Sequence, residues 1–473
     1  MSKPILLQLV LGIFVAVSSA QETPSNPQDQ NAPSPDRQKI FERLVRELED
    51  LIPTKYEEGS KQEEAVKTVV YGFMSGNQTR ISESLNELMK VDPSAPPREL
   101  VLAGLAYAAN NPVGGKVLLE QAAVRHPKHP GIPLAFARLA LIQSRFFDAL
   151  ACIEKARLTN SASDLEEAIR KYYEIACLDS LTVIEIRRNE LIAAERYARQ
   201  WEKLDPASDK MFLASGEVRF LLEKVDDAVE FLNRRSESKK SGTPTEVIVA
   251  KWYQAKNDDA NYGKWIEDAH KKHPSNPLTQ LEYAAWQIRQ ENFSEAKSLI
   301  ASYEQANGES LQTKLIKGRI AFANEDFATS EKMFTELLQA QPNNFEHVYF
   351  LVLTMLESDD ENKRKQALAL AQRAYQNSPN HQLSSATLGW TLHKTGNTEV
   401  ALELLTQAKN MGTMLPDTAY FLASIMADTG RKAQAKIILD PIMGTRAVFV
   451  FRDRARILLR SIQSEDTLPT PGG

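Results

Sequence analysis

The sequence of 473 residues predicts an all-α fold, an α-solenoid of about eleven helical hairpins with a capping helix at each end. Amphipathic runs of about 12–15 residues dominate the chain, as expected for helices that bury one face. Glycine is scarce, and the strict alternation of apolar and polar residues that is typical of strands is nearly absent. The chain is too long for one ordinary core, and small residues and prolines recur at a regular step of 34 along it, which indicates a repeat array.

The first twenty residues predict a secretory signal peptide. Lys3 gives the segment a positive start, and residues 5–17 form an almost unbroken apolar run. A membrane-spanning helix needs about 20 apolar residues, more than this run supplies, and the small residues that end at Ala20 suit cleavage before Gln21. We therefore expect residues 1–20 to be removed and the mature protein to be exported, to a periplasm or outside the cell, without stable insertion in a membrane. The alternative is an uncleaved membrane anchor.

Two short segments have the composition of flexible chain. Residues 21–36 are rich in Pro, Gln, Asn and Ser and contain no aromatic side chain, so they cannot bury enough apolar surface to order themselves. Residues 467–473 have a similar composition. We expect a disordered linker and a disordered tail.

Capping helices are predicted beside these segments. The N-terminal capping region spans 37–61 and contains an amphipathic stretch over 36–51. The C-terminal capping helix is expected within 450–466, in an amphipathic stretch over 448–462. Repeat arrays need such helices because their end repeats would otherwise expose an apolar face.

The repeat array is predicted over residues 62–449, as eleven units of this length with two insertions. One insertion adds eleven residues near 160–174, and the other adds three near 358–366. In this register the eighth position is small in eight repeats: Ala103, Ala137, Gly216, Ala250, Ala284, Gly318, Gly389 and Ala423. The twentieth position is alanine in seven repeats: Ala149, Ala194, Ala228, Ala296, Ala367, Ala401 and Ala435. The thirty-second position is proline in six repeats: Pro93, Pro127, Pro206, Pro274, Pro342 and Pro379.

The residue type at each of these positions has a physical reason. Two helices of a hairpin approach closely only where their side chains are small, so the eighth and twentieth positions should meet at the crossing. Proline lacks an amide hydrogen and cannot continue a helix, so it should follow the end of the second helix. Gly76, Gly396 and Gly430 fall between the two helices, where a positive φ is useful.

The longer insertion predicts a change in the fourth hairpin. The residues 163–166 read Ser-Asp-Leu-Glu, which has the spacing of a capping box at a helix start. We expect a long first helix that reaches about Arg187, and an elbow in the array at 160–174.

The pattern resembles the tetratricopeptide repeat (TPR) family. The best single match runs from Leu388-Gly389 through Leu392, Gly396, Ala401 and Leu405 to Ala408, and the resemblance covers about four-fifths of the chain. The aromatic residue usual at the fourth position is mostly missing. The resemblance implies a right-handed superhelix whose concave side, lined by the first helices, binds a peptide or a partner protein. The related pentatricopeptide family binds RNA, but the step of 34 and the net charge of −5 disfavour it, and we expect no nucleic-acid partner.

The resemblance also implies which side chains would face the partner. In the family, five positions of each first helix point into the groove. In the last four repeats those positions bring together aromatic and cationic side chains, with Trp390 as the expected anchor. The residues are Arg319, Phe322, Tyr349, Trp390, His393, Lys394 and Tyr420. The alternative is that Phe322 and Trp390 pack between neighbouring first helices.

Catalytic and metal-binding motifs are not recognisable. The chain has no His-Glu-x-x-His, phosphate-binding glycine loop or Gly-x-Ser-x-Gly, so we expect no enzyme, cofactor or metal. The histidine pairs at 126/129 and 270/273 each lack a third ligand and stand beside lysines. Cys152 and Cys177 are expected on adjacent helices, where they are either buried thiols or a disulfide.

The sequence therefore predicts an extracytoplasmic scaffold or adaptor that holds a protein or peptide, with roles such as envelope assembly, secretion or polysaccharide export. The alternatives are a secreted carbohydrate-binding solenoid and an α/α-toroid carbohydrate-active enzyme. The regularity of the repeat step argues against the toroid.

Overall fold

The computed structural model describes residues 35–53, 56–238, 242–445 and 449–466. All regular elements in these ranges are α-helices. None of the described helices is both long and apolar enough to cross a membrane. The expected signal peptide, most of the expected linker and the expected tail lie outside the described residues.

The chain divides into two compact units, at Lys240 and Ser241. The first unit contains α1 (Pro35–Leu51), α2 (Lys61–Ser75), α3 (Gln78–Val91), α4 (Arg98–Ala108), α5 (Pro112–Arg125), α6 (Gly131–Ile142), α7 (Phe146–Ser161), α8 (Glu167–Arg187), α9 (Leu191–Leu204), α10 (Asp209–Leu221) and α11 (Val225–Ser238).

The second unit contains α12 (Thr245–Ala255), α13 (Asp259–Lys272), α14 (Pro277–Arg289), α15 (Phe293–Asn307), α16 (Leu311–Ala323), α17 (Phe327–Ala340), α18 (Phe345–Leu356), α19 (Glu361–Asn377), α20 (Gln382–Lys394), α21 (Thr398–Asn410), α22 (Pro416–Asp428), α23 (Lys432–Met443) and α24 (Arg452–Asp466).

Between the flanking helices α1 and α24, the helices pair in sequence as hairpins. In the described residues there are five such hairpins in the first unit, from α2/α3 to α10/α11, and six in the second, from α12/α13 to α22/α23. The prediction of an all-α array of about eleven helix-turn-helix repeats is confirmed.

The turn inside each hairpin fixes the register of the repeat. One residue with positive φ stands in ten of the eleven hairpin turns: Gly76, Asn110, Ser144, Asn189, Glu223, Asn257, Glu291, Glu325, Gly396 and Gly430. Neighbours in this series are separated by the predicted repeat step, except where the two predicted insertions intervene. The prediction of positive φ at the three glycines is confirmed, and the other seven positions adopt the same left-handed conformation without glycine.

The hairpin crossings contain the predicted small residues. All seven alanines of the twentieth position are fully buried. A Cβ on Gly389 would lie 2.8 Å from Cγ of Leu405 and 3.1 Å from the carbonyl oxygen of Ala401, so only glycine allows these helices to approach so closely. The six prolines also stand where expected, each two residues after the end of a second helix.

The fourth hairpin begins with the long helix that the sequence predicts. Helix α8 has 21 residues and ends at Arg187. Its start differs from the expectation, because the N-cap is Glu166 and no side chain caps the helix. The Ser163 hydroxyl instead donates to the carbonyl of Asn160, at 2.8 Å, so the predicted capping box does not form. The insertion at 160–174 lies wholly within the first unit.

Helix α1 packs on the first helices of its own unit. Its Leu51 Cδ1 lies so close to Gly104 of α4 that a Cβ at Gly104 would displace the Leu51 side chain. The Tyr172 hydroxyl of α8 donates to the carbonyl of Asp50, at 2.6 Å, and the rings of Phe41 and Tyr71 stack at 4.2 Å. The N-terminal flanking helix therefore contacts α2, α4 and α8, rather than the end repeat alone.

Candidate binding face of the second unit

The candidate site lies on the face formed by the first helices of the second unit, α12, α14, α16, α18, α20 and α22, here called the first-helix face. Successive first helices in this series contact one another, as α18 and α20 do. The predicted site residues lie on its last four helices, with Arg319 and Phe322 on α16 and Tyr349 on α18. Trp390, His393 and Lys394 follow on α20, and Tyr420 on α22.

This face is occupied by the end of the same chain. Residues 449–466, here called the C-terminal strap, comprise Phe449 to Phe451 and helix α24. The predicted helix start at residue 448 lies outside the described residues; α24 begins at Arg452, and both phenylalanines precede it. They are buried with the second unit's core.

Phe451 is the centre of the contact. Its ring stacks on Tyr420 at 5.2 Å and meets Phe322 at 5.9 Å and Trp390 at 6.3 Å. Such offset and edge-on ring pairs add stability beyond the area they bury. The structure therefore brings three of the predicted site residues together, around a fourth aromatic residue that the prediction assigned to a capping helix.

Trp390 is not an open anchor while the strap is in place. Only 2% of the residue is exposed, and its ring stacks on Phe421 at 4.4 Å. The Lys394 ammonium lies 5.2 Å from the ring centre, within the range of a cation–π contact. Phe421 of α22 thus covers one ring face within the unit's core, and Phe451 of the strap meets the ring at an angle of 62°.

A buried carboxylate joins Tyr349 to the strap. The Tyr349 hydroxyl donates to Oδ2 of Asp417, at 2.8 Å, and the backbone N–H of Phe451 donates to Oδ1, at 3.1 Å. Desolvation raises the pKa of Asp417 to about 6, against these hydrogen bonds, which favour the charged form. Desolvation and the nearby Asp417 also raise the pKa of Tyr349, so its hydroxyl stays protonated and remains a donor.

Ion pairs fix the strap at two further places. Arg454 binds Glu357 of the α18 end in a bidentate pair, with N–O distances of 2.6 and 3.0 Å, and its guanidinium lies over the Phe451 ring. Arg452 pairs with Glu291, at 3.0 Å. Bidentate guanidinium–carboxylate pairs are geometrically specific, so they set the register of the strap on the face.

The remaining predicted site residues border the aromatic cluster. Arg319 pairs with Glu346, and burial lowers the pKa of its guanidinium to about 10, with the neighbouring Arg289 adding to the effect. The His393 ring lies 3.4 Å from Asp428 at Nε2, and desolvation lowers its pKa although Asp428 opposes this. The charge of Arg319 is thus paired within the unit, whereas burial favours the uncharged form of His393.

Sequence reasoning missed Asp417, Glu357 and Arg454 as members of this site. Glu357 and Arg454 are 97 residues apart, and no local spacing connects them. The only available signal was the pair of phenylalanines just before an arginine-rich helix.

The other chemical candidates contribute no site. Within the described residues, no three His, Cys, Asp or Glu side chains cluster as metal ligands. The ring of His126 lies beside Glu99 and that of His273 beside Glu246, each at 3.3 Å. Cys152 and Cys177 belong to one apolar cluster, and both are free thiols.

Comparison with known proteins finds similarity among solved structures alone. No protein-family model matches the sequence, and no curated protein matches it. A tetratricopeptide repeat protein from Parabacteroides merdae is 14% identical, with a TM-score of 0.39, over 54% of this chain and 99% of its own. A thermophilic tetratricopeptide repeat protein of Thermus thermophilus is 14% identical, with a TM-score of 0.34, over 40% of this chain and 99% of its own. Yeast Tom70 is 13% identical, with a TM-score of 0.34, over 87% of this chain and 98% of its own.

Proposed function

We propose that this chain, an all-helical array of tetratricopeptide-type hairpins, is a non-catalytic interaction scaffold that works outside the cytoplasm and holds polypeptide partners on the first-helix face of its second unit. One observation carries the proposal: this face already holds a polypeptide segment, the C-terminal strap, through aromatic contacts, a backbone hydrogen bond and a bidentate ion pair. Stacked hairpin repeats create extended binding surfaces of this kind.

The strap indicates the chemistry of a partner. A segment that replaces it would place an aromatic side chain against Tyr420 and Trp390, where Phe451 now lies. A basic side chain three residues later would reach Glu357, as Arg454 does. Aromatic residues and arginine are also the residue types most often found at interaction hot spots. The partner is therefore a peptide or partner segment with an aromatic residue followed by a basic one.

The strap also limits when a partner binds. Because it belongs to the same chain, it competes as an intramolecular ligand with an effective concentration on the order of millimolar. A partner that makes the same contacts can bind the first-helix face only by displacing the strap. The scaffold therefore binds weakly until the strap is released.

An exchange experiment tests this function. A fluorescent peptide of residues 449–466 is titrated into the full chain and into a variant with Phe451→Ala and Arg454→Ala, and its anisotropy is followed. We expect saturable binding to the variant and much weaker binding to the unmodified chain, because the variant's strap competes poorly. A control peptide with the same two substitutions should not bind. Equal binding of both peptides, or none to the folded variant, would refute this use of the face.

The location is tested separately. Export predicts that protein recovered from a periplasmic or extracellular fraction begins at Gln21, after cleavage at Ala20. N-terminal sequencing and fractionation measure this directly. A cytoplasmic protein that keeps Met1 would overturn the location without affecting the exchange experiment.

A further inference from the structure

The first unit exposes a group of large apolar side chains on the second helices of three consecutive hairpins. The exposed fraction is 82% for Val124 on α5, 76% for Phe147 on α7 and 73% for Ile192 on α9. Val113 and Val117 on α5 and Leu158 on α7 are also exposed. These six residues are here called the outer patch. Single apolar residues are ordinary on protein surfaces, whereas a group of them on one face can mark an interaction site. The positions of these residues in the repeat distinguish the two cases.

The arrangement follows the repeat. Val113, Phe147 and Ile192 all occupy the eighteenth position of their hairpins, and Val124 and Leu158 both occupy the twenty-ninth. Equivalent positions of stacked hairpins point to the same side, and eleven residues are about three turns of helix, so both rows face that side, with a first helix packed between each two of these second helices. Five of the six residues thus occupy equivalent positions on one side of three consecutive hairpins, and Val117 lies one turn from Val113 on α5.

The other hairpins do not repeat this surface. Their eighteenth positions are polar or small in every case: Thr79, Asp226, Ala260, Ser294, Ala328, Lys365, Glu399 and Ala433. Their twenty-ninth positions carry no large apolar residue either. The repeat fold therefore does not require apolar side chains here, and the outer patch is a local property of three hairpins.

The same three helices carry an excess of positive charge. Their exposed basic residues are Lys116, Arg125, Lys155, Arg196, Arg199 and Lys203, and their exposed acidic residues are Glu120, Asp148 and Glu154. This surface is basic on a chain whose formal net charge is −5. Arg196, Arg199 and Lys203 lie on α9 with Ile192, and of these Arg199 pairs with the part-buried Glu195 of the same helix, at 2.9 Å.

We propose that the outer patch is a second docking surface, which binds an amphipathic helix of a partner protein that carries acidic residues along the edge of its apolar face. The apolar rows would receive the apolar face, and the basic side chains of α9 would meet the acidic edge. A second copy of this chain is disfavoured, since two basic patches would repel each other. A lipid surface would also suit apolar and basic side chains, and the vesicle measurement below distinguishes it from a partner helix.

The test uses a displayed library of amphipathic helical peptides, selected on the full chain. The comparison variant combines Val113→Thr, Phe147→Ser and Ile192→Ser, which introduce exposed residues of the kind found at this position in other hairpins. A matched control, Ile437→Ser, removes an apolar side chain that is 72% exposed on α23 of the other unit. The enriched peptides are then measured by titration against all three proteins.

We expect enriched peptides to combine an apolar stripe with an excess of Asp and Glu, and to bind the triple variant at least about tenfold more weakly, as the loss of apolar contact area predicts. The Ile437→Ser protein should bind them unchanged. Enrichment of basic peptides, equal affinity for the triple variant, or binding of phosphatidylglycerol vesicles in place of peptides would overturn the proposal. Self-association that the triple substitution abolishes would overturn it in favour of a second copy. None of these results depends on the first-helix face of the other unit.

Discussion

Replacing Ala401 by leucine tests the register of the repeat at one hairpin crossing. Ala401 is fully buried on α21, and its carbonyl oxygen would lie only 3.1 Å from a Cβ built on Gly389 of α20. A leucine adds three carbon atoms at a crossing that has no room for one. Overpacking of this kind typically costs about 1–3 kcal/mol of the free energy of unfolding.

The assay combines urea unfolding with hydrogen exchange. Each hairpin contacts mainly its neighbours, so the destabilisation should concentrate in α20 and α21, and the amides of these helices should exchange faster while those of the first unit do not change. Val400→Leu is the matched control, because Val400 is the preceding residue of the same helix and is 39% exposed. That substitution should change stability by less than about 0.5 kcal/mol. An unchanged midpoint and unchanged exchange for Ala401→Leu would show that the eighth and twentieth positions do not meet as described.

Three further predictions concern the strap and the buried polar groups. Phe451→Ala should destabilise the second unit by up to about 3–5 kcal/mol and speed hydrogen exchange in α24, whereas Ile457→Ala, at a residue that is 65% exposed, should do neither. The pKa of Asp417 is raised to about 6 in the folded protein, so this carboxyl contributes stability below its unfolded pKa that is lost as the pH rises towards 6. With Asp417→Asn, the urea midpoint should therefore change less between about pH 4 and pH 6 than it does for the unmodified chain. An equal change with pH in both proteins would contradict the raised pKa. Burial raises the pKa of the Cys177 thiol to about 12, so Cys152 should react first with a thiol reagent, and Cys177 only after unfolding; a missing thiol in the unreduced, denatured chain would instead indicate a disulfide.

The sequence alone determined the repeat, because the signals that define a hairpin are local. Helical periodicity, a small residue at each crossing and a proline after each second helix all act within a few turns of chain. They were sufficient to place the hairpins and both insertions. They also predicted the long α8, although the capping spacing at Ser163 was misleading, since that hydroxyl bonds back to Asn160.

Tertiary structure decided features for which the local sequence has no signal. Seven turn residues adopt positive φ without being glycine, Asn110 and Glu325 among them, because the packing of the two helices imposes the turn whatever residue stands there. The division of the array at Lys240 and Ser241 likewise had no counterpart in the predicted elbow.

The candidate site likewise combines features that the sequence predicted with features that only the tertiary structure determined. The sequence placed Phe322, Trp390 and Tyr420 on equivalent faces of successive first helices, since that follows from the repeat. It did not indicate that Phe451 would cover them, or that Arg454 would pair with Glu357 across 97 residues. A periodic pattern specifies which way a side chain points from its own helix. The surface that such a side chain contacts can belong to a distant part of the chain. The position of that part depends on the free energy of the whole packed unit.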